Sequence, residues 1–348
     1  MVDLATSKET VDTTLADFLQ LKKRAAADIH PSYARLLDEI ERVVFSGGKR
    51  LRPHLVFLGY GAYDETIAAV AAAHELLHTA LLAHDDLIDR DDFRHGQPTI
   101  HAAYTTFYAH DLPDSHERRH FSRSAALLAG DLLISLAYEL LASVDISREK
   151  HRAITSLLST GMFEVIGGEL LDTEAAFISA SVDPLTIYRY KTASYSLIAP
   201  LLTGATLSHH DYSETSLKAL REFATHAGIA YQIRDDILGV FGKSKETGKS
   251  TTSDLREGKR TLLMSTFTAR ASAEDMALFS RTFGNAAASD DQFDTLKTVL
   301  RTSGALSATE AAVTNHTEQA LDSLAKCHNP ELINQLTALA DTLIIRNV

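Results

Sequence analysis

Tryptophan is absent from this 348-residue chain, cysteine occurs once, at Cys327, and only seven prolines are spread along its length. A single cysteine excludes an intrachain disulfide framework, and the simplest compartment for such a chain is a reducing cytoplasm. Scarce proline beside recurrent Ala and Leu suits long helices and suits strands poorly. Clustered basic residues are also lacking against a formal net charge of −12, which excludes a nucleic-acid binder, because neutralising a phosphate backbone takes a local excess of Lys and Arg. Acidic substrates stay open, since a few basic residues, or metal ions held by carboxylates, can hold phosphates on an acidic protein. The start, MVDLATSKETVDTTLADF, has no basic segment followed by an apolar one and does not resemble a signal peptide. The most apolar stretch, Leu127 to Val144, carries Asp131 and Glu139, so it reads as a core helix and no membrane span is expected.

What is present is helical periodicity, repeated from residues 9–28 through 65–90, 122–143, 147–178, 184–206 and 213–241 to 306–346, with no segment that alternates. Asp183-Pro184 and Asn329-Pro330 each set a capping side chain before a proline at a first helical position. The stretches 109–120 and 242–258 are polar and broken and read as surface loops, the kind that often carry function. No tandem repeat or linker divides the chain. These features predict one all-α domain over residues 1–348.

The sharpest motif is LLAHDDLIDRDDFRHGQPTIH, residues 81–101, which places Asp85, Asp86 and Asp89 at the end of an apolar helix. Positions i and i+4 share a face, so Asp85 and Asp89 point the same way and repel unless a cation stands between them. A hard divalent ion such as magnesium takes one or two carboxylates together with substrate phosphates. A second pair, Asp235 and Asp236, lies in AYQIRDDILGVFG. A lone Asp-Asp is usually a solvated face. Here the flanks Leu81, Leu82, Leu87 and Ile88, and Ile233, Ile237 and Leu238, leave no room for a purely polar face, and unneutralised buried carboxylates are costly. Two metal-binding walls facing one cavity are therefore expected.

Basic residues stand apart from these sets. SGGKRLRPHLV, residues 46–56, puts Lys49, Arg50 and Arg52 after a Gly pair, where side chains can grip an anion. Others are Arg94 after the first acidic run, Lys191 before Thr192, and Lys249 and Lys259 after the second run. Separate acidic and basic sets imply two diphosphates held in two ways, one through metal ions and one through cationic side chains. His110, His116 and His120, in a polar stretch with flexible spacing, read as solvated loop residues.

In this order the segments GGKRLRP, ELLHTALLAHDDLID, RHGQPTIH, LLAGD, GGELLD, YKTASY, YQIRDD and TGK followed by GKRT, from Gly47 to Lys259, resemble the trans-isoprenyl diphosphate synthase family of farnesyl, geranylgeranyl and longer polyprenyl diphosphate synthases. The resemblance implies a single large helical bundle around a central cavity, a homodimer, and usually three Mg2+ ions per active site. It implies that Asp85, Asp89 and Asp235 bind magnesium with Asp86 and Asp236 in support. Arg94, Lys191 and Lys249 then contact the allylic diphosphate, Lys49, Arg52 and His78 hold isopentenyl diphosphate, and Lys259 and His95 stand among the substrate-binding positions. Lys191, Thr192 and Gln232 match the catalytic positions, with Thr192 and Gln232 stabilising the allylic cation.

Three positions depart from the family pattern: Gly239 where an Asp is common, His95 where a second Arg is common, and Glu169 where a Gln is common, with Asp172 retained. The implied reaction joins isopentenyl diphosphate to an allylic diphosphate. Ala80 and Leu81, the fifth and fourth residues before Asp85, would set the cavity floor. Small Ala80 favours geranylgeranyl diphosphate (C20) over a farnesyl stop, with longer products or a non-catalytic partner subunit as alternatives. A terpene cyclase consumes only one diphosphate and would not need the Lys49, Arg52 and His78 set.

Overall fold

A computed structural model describes residues 2–178, 182–242 and 252–344. These are almost entirely helical and group into two compact units, Met1–Ser156 with Thr203–His210, and Leu157–Leu202 with Asp211–Val348.

In unit 1, α1 (Leu4–Ile29) is capped by Asp3, whose carboxylate accepts from the Thr6 N–H, and buries Val11, Leu15 and Leu19 at four-residue spacing. Then follow α2 (Pro31–Val44), α3 (Leu51–Tyr60) and α4 (Glu65–Ile88). α4 is capped by Asp64, and its Ala- and Leu-rich sequence is buried nearly all round. A helix of that kind sits in a core, and its charged Glu75 needs a partner there. α5 (Ile100–Phe107) and α6 (Ser115–Ser143) complete the unit with the first part of α7 (Arg148–Phe177). The polar stretch 109–120 is loop only as far as Asp114, which caps α6 by accepting from the His116 and Glu117 N–H groups. His110, His116 and His120 are exposed.

One departure from an all-helical reading lies between α4 and α5. Phe93–Arg94 (β1) and Gln97–Pro98 (β2) form a two-residue hairpin in register Phe93↔Pro98 and Arg94↔Gln97. Its tip, His95 and Gly96, has φ of 52° and 74°, positive at both central positions as a type I′ turn requires.

In unit 2, α8 (Pro184–Ile187) begins at the expected Asp183-Pro184 start. The segment read as one helix over 184–206 is not α throughout. Residues Tyr188–Ile198 form a π-helix before α9 (Ala199–Leu207). Neighbouring backbone comes unusually near this wide segment: a Cβ on Gly168 of α7 would lie 2.2 Å from the Lys191 amide nitrogen. A Cβ on Gly228 of α10 (Glu214–Phe241) would lie 2.6 Å from Ala193 Cβ. π-helical turns are rare and concentrate at functional positions. Shorter helices at Ser253–Glu257, Leu262–Thr268, Ala273–Thr282 and Asp290–Thr302 enclose a separate core around Leu255, Phe267, Phe293 and Leu300. The segment 306–346 divides into Ala305–Ser323, a 3-10 turn at Leu324–Lys326, and Pro330–Ile344, where Asn329 accepts from the Leu332 N–H.

Three helices, Glu65–Ile88, Ser115–Ser143 and Arg148–Ala176, are long and apolar enough to cross a membrane by length and composition alone. The apolar window of the first is 72% buried inside the protein, against 28% for the third, so α4 is a core helix whereas α7 leaves much apolar surface uncovered.

Candidate active site

The first acidic set stands where a helix end is least able to tolerate it. Asp85 and Asp86 occupy the last turn of α4 and Asp89 is its C-cap, so all three face the negative end of the helix dipole. Positive charge has to be supplied, and the hairpin supplies it. Arg94 Nε donates to Asp86 Oδ1 at 2.6 Å and Arg94 Nη2 to Asp85 Oδ2 at 2.9 Å. Burial pushes the Asp86 carboxyl up to about 6 against the pull of Arg94. The Arg94 guanidinium, which burial alone would lower, is raised instead by Asp86 and Asp85.

Strain marks the same neighbourhood. Arg50, Arg90 and His95 are the non-glycine residues with positive φ among the described residues, and each such conformation costs on the order of 1 kcal/mol. The GGKRLRP turn and the hairpin tip are neighbours, since a Cβ on Gly47 would lie 3.4 Å from His95 Nδ1. Within the turn, Lys49 is exposed and Arg52 half-buried. Arg50 does not serve as an anion grip. It turns inward, donating to Asp12 Oδ1 at 2.7 Å, Glu75 Oε1 at 2.6 Å and the Val44 carbonyl at 2.8 Å. It is the partner that Glu75 of α4 requires, and it ties α1, α2 and α4 together.

His78, two residues before Ala80 and three before Leu81 on α4, is held well below its ordinary range by burial and by the positive charge of Arg52 and Arg94. A neutral imidazole of this kind offers one N–H to an anion. Ala80 is fully buried and Leu81 half-buried. His84, directly before the acidic pair, reaches α6: its Nε2 lies 3.3 Å from the Leu127 carbonyl and 3.6 Å from Asp131 Oδ1. A Cβ on Gly130 would come within 2.2 Å of that ring, which gives the LLAGD segment a physical role that its sequence did not disclose.

The second acidic set is organised by neutral donors. Asp236 accepts from Gln232 Nε2 at 2.8 Å on Oδ1 and from the Tyr188 hydroxyl on Oδ2. Thr192 Oγ1 donates to Gln232 Oε1 at 2.8 Å, and the Leu262 N–H donates to the Tyr188 oxygen at 2.8 Å. Burial pushes the Asp236 carboxyl up to about 8 against its hydrogen bonds, and the same burial with Asp236 alongside raises Tyr188 well above its ordinary range. Both Asp236 oxygens are therefore engaged, and Asp235 is the exposed member of the pair. Nothing in the sequence around Tyr188 marks it as a site residue. A signal existed only in the two glycines that crowd its helix.

Lys191, next to Thr192, contacts Asp172 Oδ2 at 2.5 Å and Glu169 Oε2 at 3.0 Å. The retained Asp172 and the Glu169 variant thus hold the lysine jointly. Gly239 has no carboxylate to offer, and Asp254 Oδ2 lies 2.1 Å from where its Cβ would be. Lys259 lies 3.5 Å from Glu257 Oε2, while Lys249 lies outside the described residues. Among the described residues no three Asp, Glu, His or Cys side chains group as a metal cage. What fits is a hard cation taking one or two carboxylates from a set and completing its shell with phosphate oxygens and water. Asp85 and Asp89 are half-buried and Asp235 is exposed, so a cation from solvent can reach each of these carboxylates.

A family model for polyprenyl synthetase matches residues 34–300. A short chain isoprenyl diphosphate synthase from Methanocaldococcus jannaschii is 34% identical over 66% of this chain and 65% of its own length. An all-trans-nonaprenyl-diphosphate synthase from Rhodobacter capsulatus is 30% identical over 88% of each chain. A crystal structure of a geranylgeranyl pyrophosphate synthase from Corynebacterium glutamicum, complexed with isoprenyl diphosphate and magnesium, is 31% identical, with a TM-score of 0.92 over 99% of this chain and 100% of that one.

Proposed function

The chain belongs to the polyprenyl synthetase family of prenyltransferases, and we propose that it condenses isopentenyl diphosphate with an allylic diphosphate, releasing an all-trans geranylgeranyl diphosphate. The relatives named above act on several product lengths, so the C20 assignment rests on this chain's own residues.

The observation that carries the reading is the adjacency of Lys191 and Thr192 on the π-helix. Ionising an allylic diphosphate breaks its C–O bond with the electron pair leaving on diphosphate. Lys191 supplies positive charge for that leaving group, and Thr192 supplies an oxygen for the cation left behind. The double bond of isopentenyl diphosphate then forms the new C–C bond, and a proton is lost to the released diphosphate. A helical scaffold without chemistry would need neither residue.

Asp85, Asp89 and Asp235 would hold magnesium, with Asp86 and Asp236 supporting them; magnesium, when bound, supplies charge that stabilises the departing diphosphate. Arg94 keeps Nη1 outside its bonds to Asp85 and Asp86 and is the arginine proposed for the allylic diphosphate, alongside Lys249, Lys259 and His95. Lys49, Arg52 and neutral His78 take isopentenyl diphosphate. We also propose one synthase domain over 1–348, a cytoplasmic location and a homodimer. Phe163, Ile166 and Leu170 on α7, at 81%, 58% and 66% exposure, form an apolar stripe at helical spacing that a second copy would cover.

The test is to supply isopentenyl diphosphate and magnesium with dimethylallyl, geranyl or farnesyl diphosphate and to separate the dephosphorylated products by length. A dominant C20 product is expected, shortened to C15 in Ala80→Phe. Longer products from the native chain would sink the Ala80 floor, and no elongation from any starter would sink the prenyltransferase reading in favour of a non-catalytic subunit.

A further inference from the structure

We infer that Tyr188 is a positioning residue that sets the direction of every hydrogen bond in the Tyr188–Asp236–Gln232–Thr192 chain, so that Thr192 meets the allylic cation with its lone pairs and never with its hydrogen. The inference rests on the prenyl-transfer reading of this site.

The direction starts at a group that can only donate. Leu262 is the first residue of the helix Leu262–Thr268, so its N–H has no intrahelical acceptor. It donates to the Tyr188 oxygen at 2.8 Å. The Tyr188 hydrogen is therefore turned away from Leu262 and goes to Asp236 Oδ2. With Asp236 ionised, so that both of its oxygens accept, the other carboxylate oxygen accepts from Gln232 Nε2 at 2.8 Å, one helical turn away on α10.

An amide has one donor end and one acceptor end, so with its NH2 on Asp236 the Gln232 oxygen must face Thr192. The separation there is 2.8 Å. An amide oxygen only accepts, so the Thr192 hydrogen is committed to Gln232. Among the described residues Thr192 makes no other side-chain hydrogen bond. What remains on Oγ1 is lone-pair density.

This matters because a hydroxyl free to rotate has two faces, one of which repels a carbocation. Fixing the acceptor face in advance removes the reorganisation that solvent, or a loose hydroxyl, would undergo as charge develops. The energy for that fixation comes from a backbone amide and a buried tyrosine that lie outside the motifs legible in the sequence.

The experiment is a double-mutant cycle on the full chain with Tyr188→Phe and Thr192→Val, measured with isopentenyl diphosphate, magnesium and the preferred allylic diphosphate. Tyr188→Phe is expected to lower kcat by about 10-fold to 100-fold, less than the roughly 100-fold to 1000-fold lost when an oriented stabilising group is itself removed, because Thr192 stays in place. The KM for isopentenyl diphosphate should stay within about twofold, because the effect belongs to the transition state and not to ground-state binding. In the Thr192→Val background the same substitution should have almost no further effect.

Independent, multiplying losses, or a Tyr188→Phe effect confined to KM, would overturn the inference while leaving the enzyme reading intact. An inert native chain would remove the enzyme reading itself and the inference with it. Should Tyr188→Phe fold poorly, Leu262→Pro removes the initiating N–H at a first helical position that tolerates proline. It is expected to lower kcat in the same direction, and an unchanged kcat would count against the inference.

Discussion

Two acidic pairs of the same composition are built by opposite means. In unit 1, Asp85 and Asp86 are balanced by charge, through Arg94 delivered on a strained hairpin. In unit 2, Asp236 is held by a tyrosine hydroxyl and an amide, with no positive-φ residue other than glycine among that unit's described residues. A charge-balanced pair can exchange one cation for another, so it suits a position where ions come and go. A carboxylate held by neutral donors, as Asp236 is, fixes geometry and gains little from exchange. Neighbours, more than the Asp-Asp motif, decide which role each carboxylate takes.

The sharpest way to break this contrast is to remove one partner from each side. Arg94→Gln leaves Asp86, at 6% side-chain exposure, without its counter-charge, and breaking a buried pair costs about 3 kcal/mol or more. Tyr188→Phe removes one hydrogen bond and costs about 1 kcal/mol. Thermal unfolding should therefore show the larger drop for Arg94→Gln, with magnesium recovering part of that loss and none of the Tyr188→Phe loss. Equal drops, or equal recovery, would mean that both pairs are held in the same way.

Acidification extends the contrast to histidine. In unit 1, burial lowers His54 to about 4 against the pull of Asp3, and its Nδ1 lies 2.9 Å from the Ser7 hydroxyl. Burial first, then Arg52, lowers His74 to about 3. The unit 2 histidines His226 and His316, whose Nδ1 atoms face each other at 3.0 Å, are lowered by burial as well and are only half-buried. For His54 the folded state binds fewer protons than the unfolded chain between about 4 and 6.5. Its contribution is thus present above about 6.5 and is lost as pH falls toward 4. The loss amounts to about 2 kcal/mol by pH 4.5. His54→Gln, which can still bond Ser7, should flatten the dependence of the melting midpoint on pH over that range. An unchanged slope would place the acid sensitivity elsewhere.

How far the sequence discloses these arrangements depends on what kind of force makes them. The pairing of Asp85 with Asp89 follows from helical spacing, and the all-α class follows from periodicity. Along the sequence Arg50 groups with Lys49 and Arg52 as one basic cluster, because nothing local reveals that a left-handed backbone at Arg50 turns it inward. The hint lies 25 residues on, in Glu75, a buried charge in the apolar middle of α4 that has to find a cation. The π-helix escaped detection for a similar reason. Eleven residues make too few turns for a change of period to stand out, and the close approaches that accompany it are distant, at Gly168 and Gly228. The hairpin was missed because two-residue strands carry no alternation, although His95-Gly96 is a turn pair. Long-range complementarity, unlike spacing, leaves only such unpaired signs along the chain.

The smallest effect tests how rigidly each acidic helix is seated, using one substitution in two places. Gly130 faces the tip of the His84 ring, and a Cβ on Gly228 would lie 2.6 Å from Ala193 Cβ and 2.7 Å from its Cα. An added methyl at residue 130 meets the end of a rotatable side chain, which can swing aside at the loss of its contact to the Leu127 carbonyl. The same methyl at residue 228 meets a backbone that cannot move without displacing the π-helix and, with it, Thr192. Overpacking costs about 1–3 kcal/mol, so Gly130→Ala should fall at the lower end and Gly228→Ala higher, about 1 kcal/mol apart in urea unfolding. Adding His84→Ala to Gly130→Ala should remove most of the smaller penalty, since the clash is with that ring. If Gly130→Ala proves as costly as Gly228→Ala and His84→Ala gives no relief, the end of α4 is as rigidly seated as α10, and cation exchange at Asp85 and Asp86 would need another source of freedom.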